Sequence, residues 1–243
     1  MLIRKRSNKV YDIREAYTNG SISETTIRRI NRRRKQRKQR MIFILITVLF
    51  LTVVFVPVFF HMQANRPTAL REGVTVVDSI PVITDFVSVN TMERPGKERK
   101  IKYIVIHETG NAGSNADAAS HNNYLHTQEN SQKKSWHYTV DDKEIYYHIP
   151  DNEIAFHAGD GLKKDGGNAN GIGIEMCINP ENDYEQTLKN TAKLTAMLLK
   201  AYDLDISAVK THHDFSGKNC PSNLLNSGRW EEFLDMVRLE LET

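Results

Sequence analysis

Cysteine is scarce in this sequence. Its 243 residues include two, Cys177 and Cys220. At most one internal disulfide can form, which excludes the class of small secreted scaffolds held together by several disulfides. An even pair of cysteines in an exported domain is still compatible with one disulfide. The alternative is that Cys220 binds a metal, and the histidine-rich loop around it favours this interpretation.

Charge is absent from residues 41–60. At about 1.5 Å per residue, a helix of this length spans the roughly 30 Å hydrocarbon core of a bilayer. We therefore predict a transmembrane helix. A cleaved signal peptide is the alternative, but the apolar run exceeds the usual length of about 7–15 residues, and Ala64 makes a poor cleavage site. We expect an uncleaved signal anchor.

Acidic residues are rare before this run. Residues 1–40 carry 14 Lys and Arg against 3 Asp and Glu, whereas the rest of the chain carries 19 and 27. A basic run alone suggests nucleic-acid binding, but beside an apolar run it indicates a cytoplasmic flank. We expect no nucleic-acid partner. The predicted order is a basic cytoplasmic tail, a transmembrane anchor, a stalk and an extracellular domain, at residues 1–40, 41–60, 61–78 and 79–243.

Internal repeats are also lacking, and the basic run is the one low-complexity segment. From residue 79 the hydrophobic pattern alternates between strand-like and helix-like stretches. The predicted fold class is α/β, with a mixed central β-sheet flanked by helices and preceded by one transmembrane helix. Strands are predicted at 101–107, 136–140, 144–149, 171–178 and 206–209, and helices at 115–128, 184–202 and 228–241.

One loop, Lys210–Pro221, concentrates side chains that bind metals or transfer protons. Catalytic zinc sites usually take three protein ligands and leave a fourth position for water. His212 and Cys220 are the candidates in this loop, and His107, at the end of a predicted strand, is the third. His213 is an alternative to its neighbour His212.

Glu175 is the acid of greatest interest because it lies in an apolar predicted strand. Burying a carboxylate there is costly unless it has a partner, and a positioned carboxylate can accept a proton from zinc-activated water. The alternative is an edge position with the side chain in water. Lys218 could place a positive charge where an oxyanion develops. Asp214 either supports a ligand or caps the turn.

Four motifs follow one another along the chain. They are Ile104-Val-Ile-His-Glu-Thr-Gly-Asn111, Ile154-Ala-Phe-His-Ala-Gly159, Gly171-Ile-Gly-Ile-Glu175, and His212 followed by Lys218-Asn-Cys-Pro221. Together they resemble the zinc-dependent N-acetylmuramoyl-L-alanine amidases of the phage-lysozyme and peptidoglycan-recognition-protein type. The resemblance covers about residues 79–243. It implies that fold, and hydrolysis of the amide between N-acetylmuramic acid and L-alanine in peptidoglycan.

Position by position, the resemblance implies zinc ligands at His107, His212 and Cys220. It implies a catalytic glutamate at Glu175 and a catalytic lysine at Lys218. Some relatives use a tyrosine near the position of Trp136. This chain has a tryptophan there, which puts a tyrosine role in doubt and leaves more of the catalysis to Glu175. The resemblance also implies that His157 and Ala158 bind the substrate. We expect Trp136 to bind the substrate as well.

These inferences favour a membrane-anchored autolysin that acts as a monomer on the cell wall of a Gram-positive-type bacterium and is encoded by that bacterium or by its prophage. Two alternatives belong to other classes. One is a peptidoglycan receptor that binds without cutting, although such receptors typically lack the cysteine ligand. The other is a tethered regulatory or structural protein whose basic tail is the working part.

Overall fold

A computed structural model describes residue 20 and residues 23–50, 52–53, 56, 75–128 and 130–243. The chain divides into two units, Met1–Arg66 and Pro67–Thr243. In the first unit, helix α1 (Glu24–Phe50) runs through the basic cluster into the apolar run, and none of its residues is buried.

The predicted transmembrane segment, residues 41–60, lies partly outside the described residues, at 51, 54–55 and 57–60. Helix α1 includes only its first half. No helix within the described part of the chain combines the length and apolarity needed to cross a bilayer. The anchor therefore stays a prediction, as do the parts of the tail and stalk at 1–19, 21–22 and 61–74.

In the second unit, the described residues form a seven-stranded mixed sheet of order β1-β2-β5-β4-β6-β3-β7. The pairs β1–β2 and β4–β5 are antiparallel, and the other neighbours are parallel. The strands are β1 (Val76–Val77), β2 (Ile80–Thr84), β3 (Tyr103–Glu108), β4 (Tyr138–Val140), β5 (Ile145–Tyr147), β6 (Gly171–Met176) and β7 (Val209–Thr211).

The helices of this unit are α2 (Ala118–Thr127), α3 (Gly167–Asn170), α4 (Tyr184–Ala201), α5 (His213–Ser216), α6 (Ser222–Asn226) and α7 (Trp230–Glu242). Asp183 is the N-cap of helix α4, and its side chain accepts a hydrogen bond from the Gln186 amide, the usual way to satisfy a free N–H at a helix start.

The core lies on one face of the sheet. Successive side chains of a strand point to opposite faces, so Ile104 and Ile106 of β3 share a face with Ile174 of β6. All three are fully buried, in one cluster with Leu188 of α4 and Phe233 of α7. Consequently the intervening residues of β3 and β6, among them the predicted site residues, are directed to the opposite face.

The predicted mixed sheet with flanking helices is confirmed. Two boundaries differ from expectation. Val76 and Val77 pair with Pro81 and Ile80, so the sheet begins inside the segment predicted as a stalk. The strand predicted at 206–209 was wrong in part, because Ile206–Ala208 is a 3₁₀ turn. The Asp205 side chain accepts a hydrogen bond from the Ser207 amide at 2.7 Å, which favours a turn there.

Candidate active site

The sheet register places His107 and Glu175 side by side. Strands β3 and β6 are parallel, and His107 is the direct partner of Glu175. Both side chains lie on the face opposite the core, because their neighbours Ile106 and Ile174 belong to it. The His107 Nδ1 atom lies 3.9 Å from Glu175 Oε1. Two residues distant in the sequence thus form one half of a site.

His212 and Cys220 complete the cluster. Strand β7 pairs with β3 in parallel, with Thr211 opposite Ile106, so His212 leaves the sheet at the edge where His107 lies. The two Nδ1 atoms are 3.1 Å apart, and Cys220 Sγ lies 3.9 Å from His107 Nδ1. The three ligand atoms lie within 4.8 Å of one another, and all three residues are buried.

This donor set fits zinc. Two imidazoles and one thiolate are ordinary zinc ligands. Around a tetrahedral zinc, two nitrogens would lie about 3.3 Å apart, and a nitrogen and a sulfur about 3.6 Å apart. The separations of 3.1 and 3.9 Å are close to these values, and all three ligand atoms lie within 4.8 Å of one another. Among the described residues, this is the group of three that could hold a metal ion.

The structure also separates the alternatives in the loop. His213 is exposed, whereas His212 faces His107. The Asp214 carboxylate accepts hydrogen bonds from the Thr211 amide and hydroxyl at 2.7 and 2.8 Å, so it caps the turn. Cys177 and Cys220 are both free and buried, and no disulfide joins them.

A carboxylate that sequence reasoning missed holds the Cys220 loop. Glu108, the last residue of β3, is 5% exposed. It accepts hydrogen bonds from the Tyr184 hydroxyl at 2.6 Å, the Ser222 hydroxyl at 2.9 Å and the Asn223 amide at 2.9 Å. Its own amide N–H points at Cys220 Sγ, 3.4 Å away. Glu108 therefore connects the strand of His107 to the loop of Cys220.

Burial dominates the electrostatics of the cluster. It raises the pKa of Glu175 to about 8, while the positive charge of Lys218 opposes this shift. Burial likewise raises the pKa of Cys220 to about 12, and Glu175 adds to this effect. Burial and then Lys218 lower the pKa of His212 to about 4. Lys218 is exposed, yet its charge acts on all three groups.

Glu175 has a buried oxygen, Oε2, without a hydrogen-bond partner among the described residues. An unsatisfied buried carboxylate oxygen is costly. Such an atom beside a candidate metal site is suited to accept a proton from a bound water or substrate. The alternative of an edge position with the side chain in water does not apply, because the Glu175 side chain is only 13% exposed.

A cleft of about 170 Å³ opens beside Glu175. Trp136 lines it and is 3% exposed, with its indole N–H bonded to the Thr139 hydroxyl at 2.7 Å. Lys134 Nζ lies 5.1 Å from the ring centre of Tyr124 and 6.0 Å from that of Trp136. The remaining lining residues are Thr109, Asn111, Ser120 and His121.

Sequence reasoning identified Trp136 in this cleft but missed Lys134, His121 and Tyr124. His121 and Tyr124 are three residues apart in α2, the spacing that places two side chains on one helix face. That spacing was the available signal. Nothing in the sequence indicated which face of α2 would turn towards Glu175.

His157 and Ala158 lie next to the candidate metal ligands. His157 is 7% exposed and Ala158 is fully buried. The His157 ring contacts His107, with Nδ1 2.9 Å from His107 Nε2. The backbone amides of His157 and Ala158 both donate to the Asn168 side-chain oxygen at 2.7 Å. A separate open cleft near this segment is lined by other residues, including Phe156 and Gly159.

Comparison with known proteins identifies the family. Residues 97–223 match the model of a family described as N-acetylmuramoyl-L-alanine amidase. This range contains the three candidate ligands and Glu175, and it covers more than half of the chain. The chain belongs to this amidase family.

Two curated relatives come from Bacillus subtilis strain 168. The N-acetylmuramoyl-L-alanine amidase XlyA is 40% identical over 154 residues, which are 63% of this chain and 50% of XlyA. The N-acetylmuramoyl-L-alanine amidase CwlH is 38% identical over 158 residues, 65% of this chain and 61% of CwlH. The chain thus spans between half and two thirds of the length of these amidases.

The second unit, Pro67–Thr243, is the amidase unit. Its fold agrees with that of a solved relative. The structure of the catalytic domain of XlyA superposes with a TM-score of 0.61 at 39% identity. The superposition covers 65% of this chain and 99% of that domain. The part of the chain in common is therefore close to an entire catalytic domain.

Proposed function

We propose that this protein hydrolyses the amide bond between the lactyl group of N-acetylmuramic acid and L-alanine in peptidoglycan, with one zinc ion as cofactor. The observation that carries the proposal is the buried cluster of His107, His212 and Cys220 beside a carboxylate of raised pKa. Membership of the amidase family supports the same reaction.

His107, His212 and Cys220 would hold the zinc. When bound there, zinc polarises the scissile carbonyl and lowers the pKa of a water from 15.7 to roughly 7. Cys220 must lose its thiol proton to become a ligand. Because burial raises the pKa of this thiol to about 12 in the metal-free site, zinc binding should release a proton near neutral pH.

Glu175 is the proposed general base and acid. Its carboxylate takes the proton that the attacking water loses as the new C–O bond forms. It then returns this proton to the alanine nitrogen as the C–N bond breaks, which yields a free carboxyl group and a free amine. The orphaned Oε2 oxygen supports this role, since it has no protein donor to give up before it binds a proton.

Lys218 is proposed to stabilise the oxyanion that develops on the scissile carbonyl. The effect of its charge on the pKa values of Glu175, His212 and Cys220 supports a position near the cluster. We propose that the cleft lined by Trp136 and Lys134 receives the substrate next to Glu175. His157 and Ala158 do not line this cleft.

The reaction is tested by digestion of purified peptidoglycan with the zinc-loaded protein. We expect new amino-terminal alanine residues and intact glycan strands, identified by amine labelling and mass spectrometry of the released fragments. Fragments with new reducing sugar ends would instead indicate a glycosidase. Binding to the sacculus without any cleavage would favour the receptor alternative and overturn the proposal.

We also propose that residues 41–60 anchor the amidase unit outside the cell membrane. The support is the uncharged run that directly follows the basic cluster. Protease added to intact cells should remove the amidase unit and spare the basic tail. Protection of the amidase unit, or its recovery in the membrane-free fraction after extraction with carbonate, would contradict this topology.

A further inference from the structure

His157 forms a buried link between His107 and the backbone. Its Nδ1 lies 2.9 Å from His107 Nε2, and its Nε2 lies 3.1 Å from the Gly171 carbonyl oxygen. The two rings are nearly perpendicular, at 89°, with centres 5.0 Å apart. This arrangement connects the candidate ligand His107 to a fixed backbone acceptor through one side chain.

The direction of the two hydrogen bonds follows from the carbonyl. A carbonyl oxygen only accepts, so His157 Nε2 carries a hydrogen and donates to Gly171. In a neutral imidazole the other nitrogen is then an acceptor, and His157 Nδ1 accepts from His107 Nε2. The His107 hydrogen is thereby placed on Nε2, and the lone pair of Nδ1 faces His212 Nδ1 at 3.1 Å.

The neighbouring residues confine the His157 ring to one position. A Cβ atom at Gly173 would lie 2.6 Å from His157 Cγ, closer than real Cβ contacts. The Gly171 carbonyl also accepts a hydrogen bond from Arg99 Nη2 at 2.9 Å. The His157 amide donates to Asn168. The ring therefore has a fixed place and a fixed acceptor.

The residues that follow His157 lie beside the second imidazole. A Cβ atom built at Gly159 would lie 3.2 Å from His212 Nε2, so this nitrogen faces that segment. The Nδ1 of His212 is left to face His107. Residues 157–159 thus lie beside both histidines of the cluster, at the nitrogens that do not face each other.

We propose that His157 is a positioning residue that fixes His107 in the tautomer with its hydrogen on Nε2, so that Nδ1 is prepared to bind the metal. This differs from contact with substrate, the role suggested by the resemblance. Partners that orient metal-binding histidines commonly change metal affinity by about 10- to 100-fold when they are removed. The metal part of this inference depends on the proposed zinc site.

The experiment uses the full-length protein and three variants. His157→Phe keeps a flat ring and removes both hydrogen bonds. His157→Gln keeps one acceptor and one donor. His148→Phe is the matched control, because His148 is also buried and bonds to Thr139 and Asn122 rather than to the cluster. Zinc affinity is measured by competition with a chromophoric chelator, and folding by circular dichroism.

We expect His157→Phe to weaken zinc binding by about 10- to 100-fold, His157→Gln to recover part of the loss, and His148→Phe to leave the affinity unchanged. In the metal-free wild-type protein, long-range ¹H–¹⁵N spectra should show the hydrogen of His107 on Nε2. This spectrum remains decisive if His157→Phe does not fold.

Two results would overturn the inference: a hydrogen on His107 Nδ1 in the metal-free protein, or equal zinc affinities of wild type and His157→Phe. Both readouts are independent of catalysis. If zinc binding depends on His157 but peptidoglycan is not cleaved, the proposed reaction fails and the positioning role stands.

Discussion

At the residue scale, Glu175 combines an unsatisfied buried oxygen with a pKa raised by burial. Glu175→Gln keeps the shape of the side chain and removes its ability to accept the proton. General acid–base catalysis contributes roughly 10²- to 10⁴-fold, so kcat for release of alanine amines should fall by about that factor. Zinc content should stay the same, because the three ligands are intact.

The control for this substitution is Glu242→Gln, at an exposed position near the end of α7. It should leave kcat and zinc content at the wild-type values. Wild-type turnover by zinc-loaded Glu175→Gln would remove the carboxylate from the mechanism. Loss of zinc from the same variant would instead give Glu175 a role in holding the metal.

Lys134 is predicted to lower the pKa of the Glu175 carboxyl group. Burial raises the pKa of Glu175, and the charges of Lys218 and then Lys134 lower it. A base must be ionised to act, so kcat/KM rises with pH through this pKa. Lys134→Met removes a positive charge, which raises the pKa and should move the rising limb of the pH profile of the zinc-loaded protein to higher pH.

Lys133→Met is the matched control, because Lys133 is exposed and adjacent but does not contribute to the pKa shift of Glu175. The limb should also move less at high salt, since charges near the surface are screened. An unmoved limb in Lys134→Met, or an equal movement in both variants, would show that Lys134 does not act on Glu175.

The residue types in the sequence predicted much of the cluster. The directions in which the side chains point could not be predicted from the sequence. The choice between His212 and His213 depends on how the chain leaves β7, which Asp214 fixes by capping Thr211. The orientation of His157 depends on space provided by Gly173. Glu108 was missed because it reads as a loop residue after a strand, and its three donors come from distant parts of the chain.

At the element scale, strands β3 and β6 were predictable from their runs of β-branched residues, and α4 from its apolar stripe. Their neighbours in the sheet were not. Parallel pairing needs crossover connections, so the alignment of His107 with Glu175 is set by packing over long sequence distances. The 3₁₀ turn at Ile206–Ala208 shows that a single capping side chain can override an apolar strand-like run.

The end of β3 offers a prediction about how elements hold the site. Glu108→Ala would leave the Tyr184 hydroxyl, the Ser222 hydroxyl and the Asn223 amide without their acceptor. An unsatisfied buried donor costs about 1–3 kcal/mol, so the free energy of unfolding should fall by roughly that amount or more. Zinc affinity should also fall, because the Cys220 loop loses its tether.

Glu108→Gln is the informative comparison, because its amide oxygen still accepts hydrogen bonds. It should lose less stability and less zinc affinity than Glu108→Ala. Urea unfolding of the metal-free proteins and chelator competition measure the two effects separately. Unchanged zinc affinity in Glu108→Ala would show that the Cys220 loop is placed without this carboxylate.

At the scale of the whole amidase unit, buried histidines link stability to pH. Burial lowers the pKa of His148 and of His157 to about 3 and that of His137 well below its usual value. In the unfolded chain these groups have pKa values near 6.5. Glu175 acts in the opposite sense, because its raised pKa lets the folded state hold a proton that the unfolded state loses.

Below about pH 6.5 the unfolded chain binds protons that the folded chain does not, so stability falls as pH falls. Each such histidine contributes about 1.4 kcal/mol per pH unit. The free energy of unfolding of metal-free protein, measured with urea between pH 7 and 5, should therefore fall with acidification. His148→Phe removes one of these protons, so its stability should decline less steeply by up to about 1.4 kcal/mol per unit. Equal slopes would mean that His148 is protonated in the folded protein, contrary to its burial.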